Sequence, residues 1–202
     1  MKLLCFTDMH GSAKALKILQ KLVKSKNPDY IICAGDFTVF EQNIESILKT
    51  FNQFKIPLLI IPGNHESGER LRELCKRYDN IIYINKGVLK TKDVIFIGNE
   101  GNGFSIDDPP FTRWGKKALK DIKKKDRKDK RVVLITHAPP YGTTTDLILE
   151  DHCGNKSVRQ FIERLQPHLA VCGHLHECSG NHDKIGNTVV LNPGPYGKIV
   201  IL

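Results

Sequence analysis

Ile56-Pro57-Leu58-Leu59-Ile60-Ile61-Pro62-Gly63-Asn64-His65-Glu66 holds the plan of the chain in one stretch. Its apolar run, bounded by prolines, reads as a buried strand. Ser67 is placed to cap a helix, and a helical pattern continues to about Tyr78. Asn64 and His65 therefore stand where a strand hands over to a helix. In open α/β folds ligands bind at the carboxyl ends of strands. Gly-Asn is also an ordinary turn dipeptide, so the reading depends on whether other polar clusters occupy the same kind of position.

They do, on both sides. Upstream, residues 2–7 read as a strand buried on both faces, followed directly by Asp8-Met9-His10-Gly11. Ser12 can cap a helix whose Ala15, Ile18, Leu19, Leu22 and Val23 keep helical spacing. Tyr30 to Ala34 makes a second buried strand, closed by Gly35-Asp36, and Ile44 to Phe54 the next helix. This strand–polar loop–helix rhythm implies parallel strands with crossover helices.

Downstream, Ile81–Ile84, Val88-Leu89 and Val94–Ile97 read as short strands whose close spacing implies an antiparallel or mixed sheet. Gly98 to Thr112 reads as a long loop, and Trp114 to about Lys125 as a helix. A strand from Val132 to Ile135 ends at Thr136-His137, and a polar loop runs to Asp151. Asn155 is placed to cap a helix carrying Val158, Phe161, Ile162 and Leu165. His168 to Cys172 is one more strand, ending in Gly173-His174-Leu175-His176. Thr188–Leu191 and Lys198–Ile201 read as strands around the turn Asn192-Pro193-Gly194-Pro195.

The bulk properties narrow the class. The 202 residues fit one domain, 1–202, with enough apolar content, 40%, for a sizeable core. No run approaches the ~20 apolar residues of a membrane span. The apolar run Leu3–Phe6 is too short for a signal-peptide core, so a cytoplasmic protein is expected. Of the six cysteines, Cys5, Cys33 and Cys172 lie in apolar runs, and no Cys-x-x-Cys pair occurs. Reduced thiols, with no zinc–thiolate site, follow. The net charge of +9 is uneven: Lys116 to Arg131 carries +7, leaving +2 elsewhere.

The strand ends thus carry Asp8-x-His10, Gly35-Asp36, Gly63-Asn64-His65-Glu66, His137 and Gly173-His174-x-His176. In extended backbone, residues i and i+2 point the same way, so Asp8 with His10, and His174 with His176, can address one site. Carboxylate, imidazole and amide oxygen form a borderline donor set suited to Mn, Fe, Co, Ni or Zn. Seven such residues exceed what one ion takes with open positions, so two divalent or trivalent transition-metal ions are expected.

The ordered set resembles the calcineurin-like metallophosphoesterase superfamily, and within it the small single-domain phosphoesterases related to the cyclic-AMP phosphodiesterase branch. The resemblance spans roughly Asp8 to His176. It implies a four-layer αββα sandwich, two mixed β-sheets flanked by helices, with the metal site at the C-terminal ends of the strands. It also implies that Asp8, His10, Asp36 and His176 hold one metal, and that Asp36 bridges to a second held by Asn64, His137 and His174. His65 matches the histidine that faces the scissile phosphate without binding metal. Two cations roughly 3.5–4 Å apart would acidify a shared water and clamp the phosphate, with His65 assisting the leaving group.

Departures from relatives refine the expectation. The protein serine/threonine phosphatase branch carries Gly-Asp-x-x-Asp-Arg-Gly and an Arg before Gly-Asn-His-Glu. Here Val39, Phe40 and Glu41 close the first motif and Pro62 precedes the second. A protein phosphatase is disfavoured, and a phosphodiesterase is preferred over a phosphomonoesterase or nuclease. The reading from another class is a non-catalytic scaffold of this fold that binds protein or RNA.

His152, His168 and His182 match no motif and read as surface or strand-end residues. Glu66, acidic at a helix N-terminus, reads as structural. Phe104, Phe111, Trp114 and Tyr141 lie in or beside loops bordering the expected cleft, where an ordinary hydrophobic role competes with stacking on a base. The basic run Lys116–Arg131 reads as a solvated helix face, with guidance of nucleic acid as the alternative. The oligomeric state is left open.

Overall fold

The computed structural model describes residues 1–122, 127 and 129–202. Part of the basic run, residues 123–126 and 128, lies outside the described residues. The chain opens with β1 (Lys2–Phe6), α1 (Ala13–Lys26), β2 (Tyr30–Cys33), α2 (Ile44–Asn52), β3 (Leu58–Ile60), α3 (Gly68–Cys75) and β4 (Ile81–Tyr83). It continues with β5 (Gly87–Lys90), β6 (Val94–Gly98), α4 (Pro109–Asp121), β7 (Arg131–Ile135), and a small hairpin of β8 (Leu147–Ile148) and β9 (Asp151–His152). It ends with α5 (Lys156–Leu165), β10 (Leu169–Val171), β11 (His182–Ile185), β12 (Thr188–Leu191) and β13 (Lys198–Ile201).

These strands build two mixed sheets. The first runs β13-β1-β2-β3-β4, with β1 to β4 parallel and β13 antiparallel on the edge. The second runs β11-β12-β10-β7-β6-β5, with four parallel strands between antiparallel edges. Side chains alternate between two covered faces. In β1, Leu4 and Phe6 pack with α1 to α3, while Leu3 and Cys5 face the other sheet. In β7, Val132 and Leu134 pack with α4 and α5, while Val133 and Ile135 meet Leu3 and Cys5 in the middle layer. That double coverage explains why the strands read as unbroken apolar runs. The result is the expected four-layer sandwich.

Local chemistry sets the helix starts. Ser12, Ser67 and Asn155 cap α1, α3 and α5, each side chain accepting a backbone N–H three residues on. The long loop is shorter than expected, because α4 begins at Pro109 rather than Trp114. Asp108 accepts the N–H of Phe111 at 2.9 Å, and Pro109 occupies a first-turn position where its missing N–H costs nothing. Strand β11 is an addition to the expected set. Its His182-Asp183-Lys184-Ile185 is a polar edge paired only with β12, so it lacks the apolar run that marks the others.

Candidate metal centre

β1, β2 and β3 lie side by side, as do β10 and β7, and each set is parallel. Their carboxyl ends therefore deliver Asp8, His10, Asp36, Asn64 and His65 from one sheet and His137, His174 and His176 from the other. Backbone bonds fasten the loops together. Asp8 N–H donates to the Gly35 carbonyl at 3.1 Å, His10 N–H to the Asp36 carbonyl at 3.0 Å, and Gly173 N–H to the His137 carbonyl at 3.0 Å.

Three groups of side chains converge. Ligand atoms of Asp8, His10 and His176 lie within 4.8 Å of one another, as do those of Asp8, Asp36 and His137, and those of His10, Asp36 and His65. The Nε2 atoms of His10 and His176 stand 2.9 Å apart. Asn64 joins through its amide, which donates to Asp36 Oδ2 at 3.2 Å. His174 stands outside these groups. Its backbone N–H donates to Asp8, while its ring packs edge-on against exposed Phe104 at 4.7 Å and 5.2 Å from the His137 ring. Burial and neighbouring His137 push its pKa down to about 4, so the ring is a neutral donor.

The carboxylates are held for this purpose. Burial works against ionisation of Asp36, but His137 and the His65 amide outweigh it and hold its pKa at about 2. Asp8 responds differently: burial and the Asp36 charge raise its pKa despite His137 and His176. Two carboxylates and several imidazoles are thus desolvated together. Strain is concentrated here as well. Asp8, His10, Asp36 and His174 have φ of +52°, +45°, +48° and +71°, left-handed conformations that cost of order 1–3 kcal/mol each.

Glu66 does more than sit near a helix end. It precedes the α3 cap, is buried, and accepts four hydrogen bonds. Oε1 takes Thr38 N–H and Oγ1, and Oε2 takes the N–H groups of Asp36 and Gly63. One carboxylate thereby locks the Asp36 loop to the Asn64-His65 loop. The glycines make room: a Cβ on Gly63 would collide with Asp36 Oδ1, and one on Gly173 with Thr7 Oγ1 and Asp8.

The partner of His65, for which the sequence offered no candidate, is Phe40. Its backbone N–H donates to His65 Nδ1 at 3.2 Å, and its ring stacks on the imidazole with centroids 4.3 Å apart. With Nδ1 accepting, the neutral ring carries its proton on Nε2, 4.0 Å from Asp36 Oδ2.

The residues present fit a metal. His137 Nδ1 lies 2.9 Å from the Ala34 carbonyl and donates to it, so Nε2 is the ring atom left to face the centre. That buried Nε2 has no hydrogen-bond partner although it lies 3.4 Å from Asp36 Oδ2. Burial lowers the His137 pKa, but Asp36 outweighs it and raises it, so the position between Nε2 and the carboxylate calls for a cation, which a proton or a metal ion can supply.

The other marked residues separate cleanly. His152 pairs with buried Asp146 at 2.9 Å, His168 accepts Val132 N–H, and His182 is exposed on β11. Phe111 and Trp114 pack with Phe161 in the core between α4 and α5, and Tyr141 lies beside His152. Only Phe104, among those four aromatics, reaches the site. Arg131 opens β7 and His137 follows its far end, so that end of the basic run lies a strand's length from the centre.

Known proteins share the fold that positions this centre. A family model described as calcineurin-like phosphoesterase matches residues 1–178. An uncharacterized protein from Methanocaldococcus jannaschii is 32% identical over 99% of this chain and 91% of its own length. A probable glycerophosphodiester phosphodiesterase from Arcobacter nitrofigilis is 29% identical over 75% of this chain and 58% of its own. Among solved structures, a Thermus thermophilus protein superposes with a TM-score of 0.74 at 17% identity, covering 96% of this chain and 88% of that one. A dimetal phosphatase from Danio rerio gives 0.68 at 11% identity, covering 97% and 88%.

Proposed function

This chain belongs to the calcineurin-like phosphoesterase family, and from that premise we propose that it is a dinuclear-metal hydrolase of phosphate esters that acts on diesters in preference to monoesters. The observation that carries the reading is the unpartnered, buried Nε2 of His137 facing Asp36. Asp8, His10, Asp36 and His176 would hold one ion, and Asp36, Asn64, His137 and His174 the second. When bound, such ions supply Lewis-acid charge to the phosphate and to an attacking water.

The chain's own residues supply the rest. Glu66 and the backbone bonds fix the ligand loops before substrate arrives, so little reorganisation is needed. His65 presents an Nε2–H donor toward the reacting phosphate and steadies charge on the departing oxygen. Phe40 keeps that tautomer, taking a position where the protein-phosphatase branch carries an arginine. With Pro62 at the other arginine position, the site lacks both guanidinium clamps of that branch. A singly charged diester needs them less than a doubly charged monoester, and the Arcobacter nitrofigilis relative's name points the same way.

We take residues 1–202 as one domain, since β12 and β13, beyond the family match, complete the two sheets. No helix among the described residues is long and apolar enough to cross a membrane. All six thiols are unpaired, which suits the cytoplasm proposed as its location.

The test is direct. Metal content of the purified protein is measured by mass spectrometry, and bis(4-nitrophenyl) phosphate and 4-nitrophenyl phosphate are assayed with Mn²⁺, Fe²⁺, Co²⁺, Ni²⁺ and Zn²⁺. Bound metal and faster diester cleavage are expected. No metal and no turnover with any of these ions would sink the enzyme reading; faster monoester cleavage would reverse the preference.

A further inference from the structure

A cleft of about 470 Å³ opens beside Asp8 and His176 and is lined by Ser179, Pro193, Pro195 and Tyr196. Its size is in the ~300–1,000 Å³ range of small-molecule sites. Among the described residues, its ionisable lining is confined to Asp8 and His176 at the metal centre, and the side chains lining it beyond them carry no charge or amide. Beyond those two residues it offers Tyr196, a residue 47% exposed, with Pro193, Pro195 and the Ser179 hydroxyl. The walls are built in advance. Asn192 is buried, donates through its amide to the Leu175 carbonyl at 3.1 Å, and accepts Gly194 N–H at 3.1 Å. Gly180 N–H donates to the Asn192 carbonyl at 2.9 Å. The loop bearing Tyr196 is thus stitched to the loop bearing His176. From outside, the Lys14 ammonium lies 5.5 Å from the Tyr196 ring centroid, a cation–π contact that restrains it.

The position of the cleft gives it a role. The His10 ring stands between His65 and His176, with centroids 4.7 Å from each. His65, which assists the departing oxygen in the function proposed above, is therefore at one end of this row and the cleft at the other. A diester has two ester groups, and only one leaves. Resting on that function, we propose that the Tyr196 cleft holds the ester group that stays on the phosphate, and that it selects a planar, ring-bearing group by stacking. Tyr196 is then a specificity-determining residue and not a catalytic one.

Two substrates with one leaving group isolate this step: thymidine 5′-(4-nitrophenyl phosphate) and methyl 4-nitrophenyl phosphate. Wild type should favour the thymidine ester in kcat/KM. Tyr196→Ala should lower that preference about tenfold, the scale of one ring–base stack, while Tyr196→Phe keeps it. Calorimetry on the Mn²⁺-loaded protein should show thymidine 5′-monophosphate binding weakened by Tyr196→Ala and inorganic phosphate binding not. An unchanged preference, or an equal loss on both esters, overturns the proposal. If wild type cleaves neither ester, the diesterase reading fails by itself. Calorimetry then decides the cleft: Tyr196-dependent binding of the nucleotide supports it, and no such dependence overturns it.

Discussion

Phe40 holds His65 twice, by a backbone N–H bond to Nδ1 at 3.2 Å and by a ring stacked at 4.3 Å. The amide donates to Nδ1, so the neutral His65 ring keeps its proton on Nε2. His65→Ala should retain metal and lose roughly 10²–10⁴-fold in kcat, the usual contribution of a positioned proton donor. Loss of metal in parallel would show that His65 is a ligand. Phe40→Ala keeps the N–H and removes only the ring, so a smaller loss of roughly 2- to 10-fold is expected, in proportion to a stacked contact. Steady-state kinetics with metal analysis on both variants separates the two contributions.

Asp36 is the residue shared by the two ligand sets proposed above. Asp36→Asn should therefore lower metal content at both sites and not at one alone. An asparagine oxygen can still accept the His65 N–H that Oδ1 accepts at 2.9 Å, so the fold should persist. Mass spectrometry showing one full ion per chain would mean that Asp36 serves a single site. Circular dichroism checks that the variant is folded.

Glu66 shows where reading the sequence stopped short. An acidic residue before a helix is common enough to be explained by the macrodipole. What it does here depends on Thr38, Asp36 and Gly63, which only the folded chain brings to it. In Glu66→Gln the amide would point donors at donors, since Oε2 already accepts two backbone N–H groups. A loss of about 2–4 kcal/mol is expected by urea denaturation, from buried N–H groups left unpaired. Metal affinity should fall with it, because the Asp36 loop loses its brace.

The converging residues were legible because each follows an apolar run, and the sandwich was legible because strands buried on both faces leave no polar alternation. Less legible were features set by contacts distant in sequence. Phe40 stands 25 positions from His65, and nothing local pairs the two. Tyr196 sits after a Pro-Gly-Pro turn whose meaning depends on Asn192 reaching Leu175. The α4 start was available in Asp108-Pro109, a cap followed by a first-turn proline, yet the glycines before it favoured reading a longer loop.

The centre as it stands is costly to the fold, and that gives a test independent of turnover. Four residues in left-handed conformations, two buried carboxylates and the unpartnered His137 Nε2 are concentrated in one place. Metal ions at this centre would take the place of any proton between His137 Nε2 and Asp36 and balance the carboxylate charge. A ligand at a hundred times its dissociation constant stabilises by about 2.7 kcal/mol. For a chain of this size that corresponds to a Tm increase of roughly 5–10 °C. Thermal unfolding in chelator and then in excess Mn²⁺ should show the rise, and Asp36→Asn should remove most of it. A Tm indifferent to every divalent ion would mean that the cluster is a structural arrangement and not a metal centre.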